Sequence, residues 1–409
     1  MTDKKALVLG GTSPHVELIN KLKKRGYYVI LVDYLDNSPG IAAADAHIQE
    51  STLDKEKVLE IARETGAALV ISTCIDQANS VCCYVAEQLG LPHPYSYQTS
   101  LDVTDKGLMK RIMTENHIPT SPYIVVTSVD EIDWDKVTFP AVVKPVDCNS
   151  SKGVHRADSR EEVVRFVTEA LPMSRAGHAI IEGFNEGAEI QVDCFATQEG
   201  ARVLMTRQKK HIEGGNGMVL QSTGSIVPAA LSDAENEQAR RIADGIAKAF
   251  GLKNTPFFYQ AIRTAHGISV LEFAPRIGGG LSYYMLKEFA GIDSVEIAIH
   301  SFLGEISDVQ PKPLDRCYST NLLYMNPGIF DRIEGGEQLK AEGVIKEVFQ
   351  MKKQGTEIDR DLRSGNRVGA FVVEADSPEA VRAREKEAYE RIKVIDSEGK
   401  DALNRTVNF

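Results

Sequence analysis

Short apolar runs and amphipathic stretches alternate at the start of the chain. Residues 4–95 place runs of strand type, such as Ala6–Leu9, between stretches with helical spacing, such as Gln77–Leu89. That alternation predicts βαβ units and a parallel sheet with helices on both faces. We therefore expect residues 1–98 to form a Rossmann-like domain.

A different rhythm, in which polar and apolar residues alternate one by one, appears further along the chain. In the stretch Glu189–Phe195, Glu189, Gln191 and Asp193 fall on one face and apolar residues on the other. Successive side chains of a strand point to opposite faces. The stretch is therefore expected to be a half-buried strand whose polar face borders a cleft.

The composition changes again after Pro311–Pro313, where short strands and a charged helix are expected. A chain of 409 residues is long enough for two or three cores. We expect α/β and α+β architecture in three domains. These are a Rossmann-like domain over 1–98, a central domain over 99–313 with a lid subdomain at about 121–185, and a small α+β domain over 314–409.

Two strand-type runs, Phe257–Arg263 and Ile268–Ala274, flank a short loop and predict a β-hairpin. If the hairpin is centred on His266, Gln260 and Glu272 face each other, and such partners have Cβ atoms about 4.5–5.5 Å apart. A carboxylate and an amide oxygen on one face suit Mg²⁺, which shares its oxygen ligands with phosphates. An ordinary hairpin with polar edge residues is the alternative.

The face of Glu272 continues through Ala274 to Arg276, because side chains on a strand alternate with period two. Tyr259 and Leu271 are expected on the opposite face, in a core. Arg276 stands just before a Gly-Gly-Gly turn. A guanidinium fork beside this turn is an arrangement that grips phosphoryl oxygens.

The totals exclude several classes of protein. A formal net charge of −11, with 43% hydrophobic and 26% charged residues, argues against general binding to nucleic acid or to an anionic membrane. No apolar run approaches the roughly 20 residues that span a bilayer. The six cysteines contain no CxxC pair that would indicate zinc. A reducing cytoplasm is the expected location.

Two lysines are candidate phosphate ligands. Lys144 ends a strand-type run and precedes the small polar loop VDCNSSKGV. An ammonium on a rigid strand beside mobile N–H donors can bind phosphate while the loop closes over it. A strand-end lysine that extends to water is the alternative. Lys106 opens a predicted helix for which Thr104 is the expected N-cap.

The segment Glu182-Gly183-Phe184, with Glu189 shortly after it, has the pattern of a hinge between domains. Open backbone in such a segment can pair with the edge of adenine, while Glu189 accepts hydrogen bonds from ribose hydroxyls. A β-bulge with surface acids is the alternative.

The order of these features resembles the ATP-grasp superfamily over nearly the whole chain: a lysine, a lysine with a loop, hinge acids, then paired oxygen ligands with an arginine. The pattern is similar to biotin carboxylase, the purine-pathway carboxylases, carbamoyl phosphate synthetase halves and L-amino-acid ligases. The resemblance implies an ATP-grasp fold with an N-terminal Rossmann-like (pre-ATP-grasp) domain and a small C-terminal α+β domain. It also implies ATP as a substrate and Mg²⁺ or Mn²⁺ as the metal.

The resemblance further implies roles for single residues. Lys144 and Arg276 are the expected catalytic residues, and Gln260 and Glu272 are the expected metal ligands. The expected ATP-binding residues are Lys106, Lys144, Asn149, Ser150, Ser151, Gly153, Glu182, Phe184, Glu189 and Lys209. Weaker substrate candidates, from strand-end loops and the glycine run, are Thr73, Asp76, Gly278 and Gly279.

Two positions depart from the family pattern. The usual first metal acid is Gln260 here, as it is in carbamoyl phosphate synthetase halves, and the usual asparagine of E-x-N-P-R is Ala274. Ala274 removes one oxygen ligand, so one metal ion and two metal ions both stay open.

The resemblance implies an ADP-forming ligase that activates a small-molecule carboxylate as an acyl phosphate and couples it to an amine, giving an amide or peptide bond. One alternative is a carboxylase or carbamoyl-phosphate-type enzyme that uses bicarbonate. Others are a nucleotide-binding module without catalysis and, from LVLGG and Asp33, a Rossmann oxidoreductase. Related proteins are commonly dimers, so a homodimer is one expected assembly; no nucleic-acid or membrane partner is expected.

Overall fold

A parallel sheet with strand order β3-β2-β1-β4 opens the fold. The computed structural model describes residues 4–148, 152–212, 221–360 and 366–407. The first part contains β1 (Lys4–Leu9), α1 (Ser13–Lys24), β2 (Tyr27–Val32), β3 (Ala46–Ile48), α2 (Lys55–Thr65), β4 (Ala67–Ile71) and α3 (Asp76–Leu89). Its strands are buried because helices cover both faces, and α9 (Ser294–Leu303) of the central region shares this core. The βαβ prediction is confirmed.

The segment around Ser38 and Gly40 packs against the loop after β1 and fills the space beside it. Gly40 N donates to Gly11 O at 2.8 Å, and a Cβ at Gly11 would lie 2.2 Å from Ser38 Oγ. A dinucleotide in this loop would have to displace the segment around Ser38, so the geometry argues against the Rossmann oxidoreductase alternative.

Two consecutive helices lead into a smaller antiparallel sheet of order β5-β8-β6-β7. Thr104 ends the first helix, and the N-cap of the second is Asp105, whose carboxylate accepts from Leu108 N at 2.9 Å. The predicted cap at Thr104 is therefore wrong, because the preceding helix runs directly into it. The elements are α4 (Tyr97–Thr104), α5 (Lys106–Glu115), β5 (Tyr123–Val126), β6 (Ala141–Pro145), β7 (His155–Ala157), α6 (Arg160–Ala170) and β8 (Ala179–Gly183).

An antiparallel sheet of order β13-β12-β9-β10-β11-β14-β18-β16 forms the centre of the molecule. It runs across residue 313, where the sequence placed a domain boundary, because β11 pairs with β14. Local composition carries no signal for that long-range pairing. The elements are β9 (Ala188–Ala196), β10 (Ala201–His211), β11 (Ser222–Val227), α7 (Asp233–Ala249), β12 (Thr255–Thr264), β13 (Gly267–Ala274), α8 (Ser282–Ala290), β14 (Cys317–Tyr324), β16 (Glu347–Gln350) and β18 (Arg367–Ala375).

The remaining C-terminal elements form a second layer on this sheet. A small sheet of order β17-β15-β19 and a charged helix share a core with β14 and β18. The elements are β15 (Gly328–Glu334), α10 (Gly336–Ala341), β17 (Glu357–Ile358), α11 (Pro378–Arg391) and β19 (Lys393–Asp396). All six cysteines are free thiols. Within the described part of the chain, no helix combines the length and apolar character needed to cross a membrane.

Candidate active site

A cleft opens where α5, the start of α3 and the β12–β13 hairpin meet. Asp76, Lys106, Glu272 and Arg276 line it, together with Phe258. These four polar residues come from three segments far apart in sequence, and each was a predicted site residue. The fold therefore brings one lysine, the predicted metal acid and the predicted phosphate-facing arginine to one place.

The hairpin pairs Gln260 with Glu272, as predicted for a hairpin centred on His266. The turn spans 264–267 and is not centred on His266, so a simple ladder would miss this pairing by one residue. A register shift next to Gln260 leaves Leu271 as the extra residue of a bulge and restores the pairing. Leu271 is consequently half-buried and lies outside the core to which the sequence assigned it.

The face of the hairpin that carries Gln260 and Glu272, here called the metal face, offers one carboxylate and one amide oxygen. The side chain of Glu272 is 40% exposed, and Gln260 Nε2 donates to Glu189 Oε1 at 3.2 Å, which leaves the amide oxygen of Gln260 as its ligand atom. Within the described ranges, no three His, Cys, Asp or Glu residues cluster as a metal cage. This donor set fits Mg²⁺ only where phosphate oxygens complete the coordination, which is the usual mode for that ion.

Lys106 lies between the metal face and the loop after β6. Its ammonium donates to the Cys148 carbonyl at 2.8 Å and lies 3.6 Å from Glu272 Oε2. The residue is 8% exposed, so few of its donors reach solvent. Lys106 thus holds a positive charge next to the predicted metal ligand.

Lys144, near the end of β6, is paired with Glu182 of the hinge segment. Its ammonium nitrogen is 2.6 Å from Glu182 Oε1, and Lys110 Nζ is 3.0 Å from Glu182 Oε2. Burial works to raise the pKa of Glu182, but the two lysines outweigh it and hold that pKa at about 2. Glu182 is therefore a buried carboxylate with a cation on each oxygen.

The hinge backbone is less open than expected. Gly183 N donates to Pro122 O and Phe184 N donates to Pro140 O, both at 2.9 Å. These two N–H groups are bonded within the protein, because β8 lies between β5 and β6 and its end stays tied to both flanking segments. The Phe184 ring is 36% exposed, with the Arg156 guanidinium 4.8 Å from its centre.

Glu189 lies under two basic side chains of the next strand. Its oxygens lie 3.1 Å from Lys209 Nζ and 2.8 Å from His211 Nε2. Burial works to raise the pKa of Glu189, and the Lys209 charge and the His211 hydrogen bond lower it to about 2. Both basic residues lie on β10, because that strand extends to His211.

Arg276 is bound by Asp76. Nε and Nη2 donate to the two carboxylate oxygens at 2.5 and 2.6 Å, and Nη1 donates to Ile277 O at 3.0 Å. Burial works to lower the pKa of Arg276, and the attraction and hydrogen bonds of Asp76 outweigh it, so the pKa is raised. Asp76 was predicted as a substrate ligand; the structure places its carboxylate on the arginine.

The other predicted site residues differ in their surroundings. Thr73 is buried behind Arg276, and its hydroxyl has no partner among the described residues. Gly278 lies against Ser282, and open space surrounds the position of a Cβ at Gly279. Gly153 has a φ of +69° and lies near Pro145, at the end of β6. Asn149, Ser150 and Ser151 fall outside the described residues.

Two buried charged features escaped the sequence analysis. One is Lys110. The other is Arg207, whose Nη2 donates to Ser282 Oγ at 2.7 Å and lies 3.4 Å from the Asp193 carboxylate. Arg207 pairs with Gln191 across β9 and β10, so it shares the polar face of the sheet. The alternation of β9 revealed that face, but the neighbouring strand could not be deduced from it.

Two family models match the chain. Residues 104–280 match the phosphoribosylglycinamide synthetase ATP-grasp (A) domain, and residues 321–396 match the L-amino acid ligase C-terminal domain 2. The first match includes Lys106, the hinge and the β12–β13 hairpin; the second covers most of the region after residue 313.

Curated relatives match at low identity. A formate-dependent phosphoribosylglycinamide formyltransferase of Rhodococcus jostii is 27% identical over 266 residues, which are 60% of this chain and 62% of the relative. The arginine-specific large chain of carbamoyl phosphate synthase from Eremothecium gossypii is 23% identical over 73% of this chain and 27% of its own length. The chain thus spans less than two thirds of these relatives.

Solved structures share the fold over almost the full length. An L-amino acid ligase from Bacillus licheniformis superposes with a TM-score of 0.80 and 21% identity, covering 96% of this chain and 99% of the other. The biotin carboxylase domain of Hydrogenobacter thermophilus 2-oxoglutarate carboxylase, solved as a dimer with MgADP and bicarbonate, gives 0.78 and 17%, covering 98% and 91%. Residues 104–280 therefore belong to the ATP-grasp superfamily by their family match, and the whole chain shares the fold of these solved structures.

Proposed function

We propose that the chain is an ATP-dependent carboxylate–amine ligase. The observation that carries the proposal is the convergence of Lys106, Glu272 and Arg276 on one cleft, in a chain whose central region matches an ATP-grasp domain. A cation, a metal-type carboxylate and a guanidinium side by side suit the triphosphate of a nucleotide and its metal ion.

The nucleotide would lie between the small antiparallel sheet and the large one. Lys106 and Lys144 would contact phosphate oxygens, and Glu189 with Lys209 would border the ribose. Phe184 supplies an apolar ring at the hinge, where an adenine would pack. Gly153 belongs to the loop after β6, which would cover the phosphates. Loop closure matters because an acyl phosphate is destroyed by water.

Glu272 and Gln260 would hold Mg²⁺ against the phosphates. The ion supplies charge neutralisation for phosphoryl transfer when it is bound. With a single carboxylate on this face, the protein would provide few of the oxygen ligands of Mg²⁺. This small donor set supports a metal ion that binds together with ATP and takes its other ligands from the phosphates.

The proposed reaction has two group transfers. A carboxylate oxygen of the first substrate forms a bond to the γ-phosphorus, and the bond between that phosphorus and the oxygen of ADP breaks. The amine nitrogen of the second substrate then bonds to the acyl carbon and loses a proton, while phosphate leaves. Arg276 and Lys144 would stabilise the negative charge on the transferred phosphoryl group.

The C-terminal region favours an amine acceptor over bicarbonate chemistry. Residues 321–396 match an L-amino acid ligase domain, and its strands β14 and β18 continue the sheet of the candidate site. We infer amino acids as the first class of carboxylate and amine to test. A homodimer and a cytoplasmic location are also part of this proposal, supported by the dimeric biotin carboxylase domain and the six free cysteines.

A substrate screen tests the proposal. Phosphate release with ATP and Mg²⁺ is measured for pairs of amino acids and other small carboxylates and amines, and products are identified by mass spectrometry. The ligase predicts ADP, phosphate and an amide in equal amounts. ADP formation with bicarbonate and no amine would favour the carboxylase alternative, and ATP binding without turnover for any pair would favour a non-catalytic module.

A further inference from the structure

Lys110 is a fully buried lysine that contacts the hinge residue Glu182. It lies one turn after Lys106 on α5, and its side chain is 0% exposed. Its ammonium nitrogen is 3.0 Å from Glu182 Oε2 and donates to Thr120 Oγ1 at 2.7 Å. Burial lowers the pKa of Lys110 from its usual value, and the attraction of Glu182 offsets only part of that effect. An ammonium in such a place is costly unless it is paired.

Glu182 binds two ammonium groups that differ in access. Lys144 is 2.6 Å from one oxygen and keeps 9% of its side chain exposed, whereas Lys110 holds the other oxygen with no exposed surface. Lys144 therefore lies at the rim and Lys110 in the interior. If Lys144 turns to a nucleotide phosphate, its contact with Glu182 weakens or breaks.

We propose that Lys110 is the permanent counter-ion of Glu182 and thereby frees Lys144 to bind the nucleotide phosphates. This inference rests on the proposed function. A carboxylate left alone in the interior is strongly unfavourable. Without Lys110, Lys144 would be the sole cation on Glu182 and would stay there. Lys110 is thus a positioning residue that acts through Glu182.

A variant at Thr120 distinguishes the counter-ion role of Lys110 from a purely structural role. Its hydroxyl accepts from Lys110 and donates to Val270 O at 2.8 Å, which links α5 to the strand that carries Glu272. If Lys110 served only to tie these elements together, Thr120→Val would mimic the loss of Lys110. If Lys110 serves as a counter-ion, Thr120→Val leaves the pair with Glu182 in place.

The test is equilibrium binding to the full chain with two probes, a non-hydrolysable ATP analogue with Mg²⁺ and adenosine. Lys110→Met should raise the Kd of the analogue about tenfold or more and change that of adenosine by less than about threefold. Lys110→Met with Glu182→Gln should bind the analogue at least about threefold more tightly than Lys110→Met alone, because a neutral amide needs no counter-ion. Thr120→Val should stay within about threefold for both probes.

Equal losses for both probes in Lys110→Met, or a Thr120→Val variant with the same loss, would overturn the inference. If Lys110→Met does not fold, the double variant decides. A double variant that fails to fold, or folds without binding the analogue, contradicts the inference, since the charged pair should be dispensable as a unit. If wild type binds neither probe, the proposed function fails first and the inference falls with it.

Discussion

Asp76 and Arg276 form a two-point ion pair across 200 residues of sequence, with contacts of 2.5 and 2.6 Å. The pair joins the first residue of α3 to the end of the β12–β13 hairpin. Since a fork-to-carboxylate contact fixes a guanidinium in orientation as well as in position, Asp76 sets the direction in which the remaining N–H donors of Arg276 point.

Asp76→Asn should slow turnover, because an amide cannot accept both N–H bonds of the fork. Losing a charge-assisted bond of this kind costs about 1.5–3 kcal/mol in unfolding free energy. ADP formation should fall about tenfold or more. Urea unfolding and steady-state kinetics measure both. The exposed Asp36 gives a matched control as Asp36→Asn; if both variants behave like wild type, the positioning role of Asp76 is wrong.

Glu272→Ala should abolish most ATP turnover while leaving the fold intact. Its side chain is 40% exposed, so truncation leaves little buried space unfilled, whereas the loss of the predicted metal carboxylate removes charge stabilisation worth several kcal/mol. Activity should drop about 100-fold or more at an unchanged melting temperature. Glu199→Ala in an exposed turn is the control. Near-normal activity in Glu272→Ala would contradict the assignment of Glu272 as a metal ligand.

Gln260→Glu should tighten metal binding and weaken the metal-free protein. The new carboxylate would face Glu272 and lie beside Glu189, whose oxygen is now 3.2 Å from Gln260 Nε2. Two carboxylates attract a divalent cation more strongly than one, and they repel each other without it. Mn²⁺ titration should show a lower half-saturation by about three- to tenfold. A higher or unchanged half-saturation argues against a metal on this face.

Acid should destabilise the protein partly through Glu182. Its pKa falls from 4.5 to about 2 on folding, so its contribution is fully present above the unfolded value and is lost as pH falls from 4.5 towards 2. The size is roughly 3 kcal/mol at most for an isolated group. Urea unfolding at pH 7 and pH 3 should show a smaller fall for Glu182→Gln than for wild type. An identical fall in both would contradict the ion-pair account.

The sequence predicted the features that depend on local periodicity. Alternation identified the polar face of β9, but the predicted half-buried strand is wrong, because Gln191 and Asp193 on that face are buried. The pairing of Gln260 with Glu272 followed from an assumed centre at His266, and it needs a bulge that local spacing does not reveal. The same periodicity held the signal for Lys110: Met109, Lys110 and Met113 fall on the buried face of α5. A lysine on an apolar face indicates a buried counter-ion, which here is Glu182.

The local sequence pattern did not predict contacts between segments that are far apart in the chain. Asp76 and Arg276 lie together in a fold where the first sheet packs against α9. Strand β11 pairs with β14 across the proline-rich segment after residue 310. Such contacts depend on which faces bury each other, and short-range spacing does not encode that choice.

Isotope transfer from a labelled carboxylate tests the central claim most directly. With the first active substrate pair, the carboxylate is enriched in ¹⁸O and the released phosphate is analysed by mass spectrometry, with each substrate omitted in turn. The account predicts one ¹⁸O atom in each phosphate and an amide product only when ATP, carboxylate and amine are all present. Unlabelled phosphate, or ADP formed from bicarbonate without an amine, would contradict it.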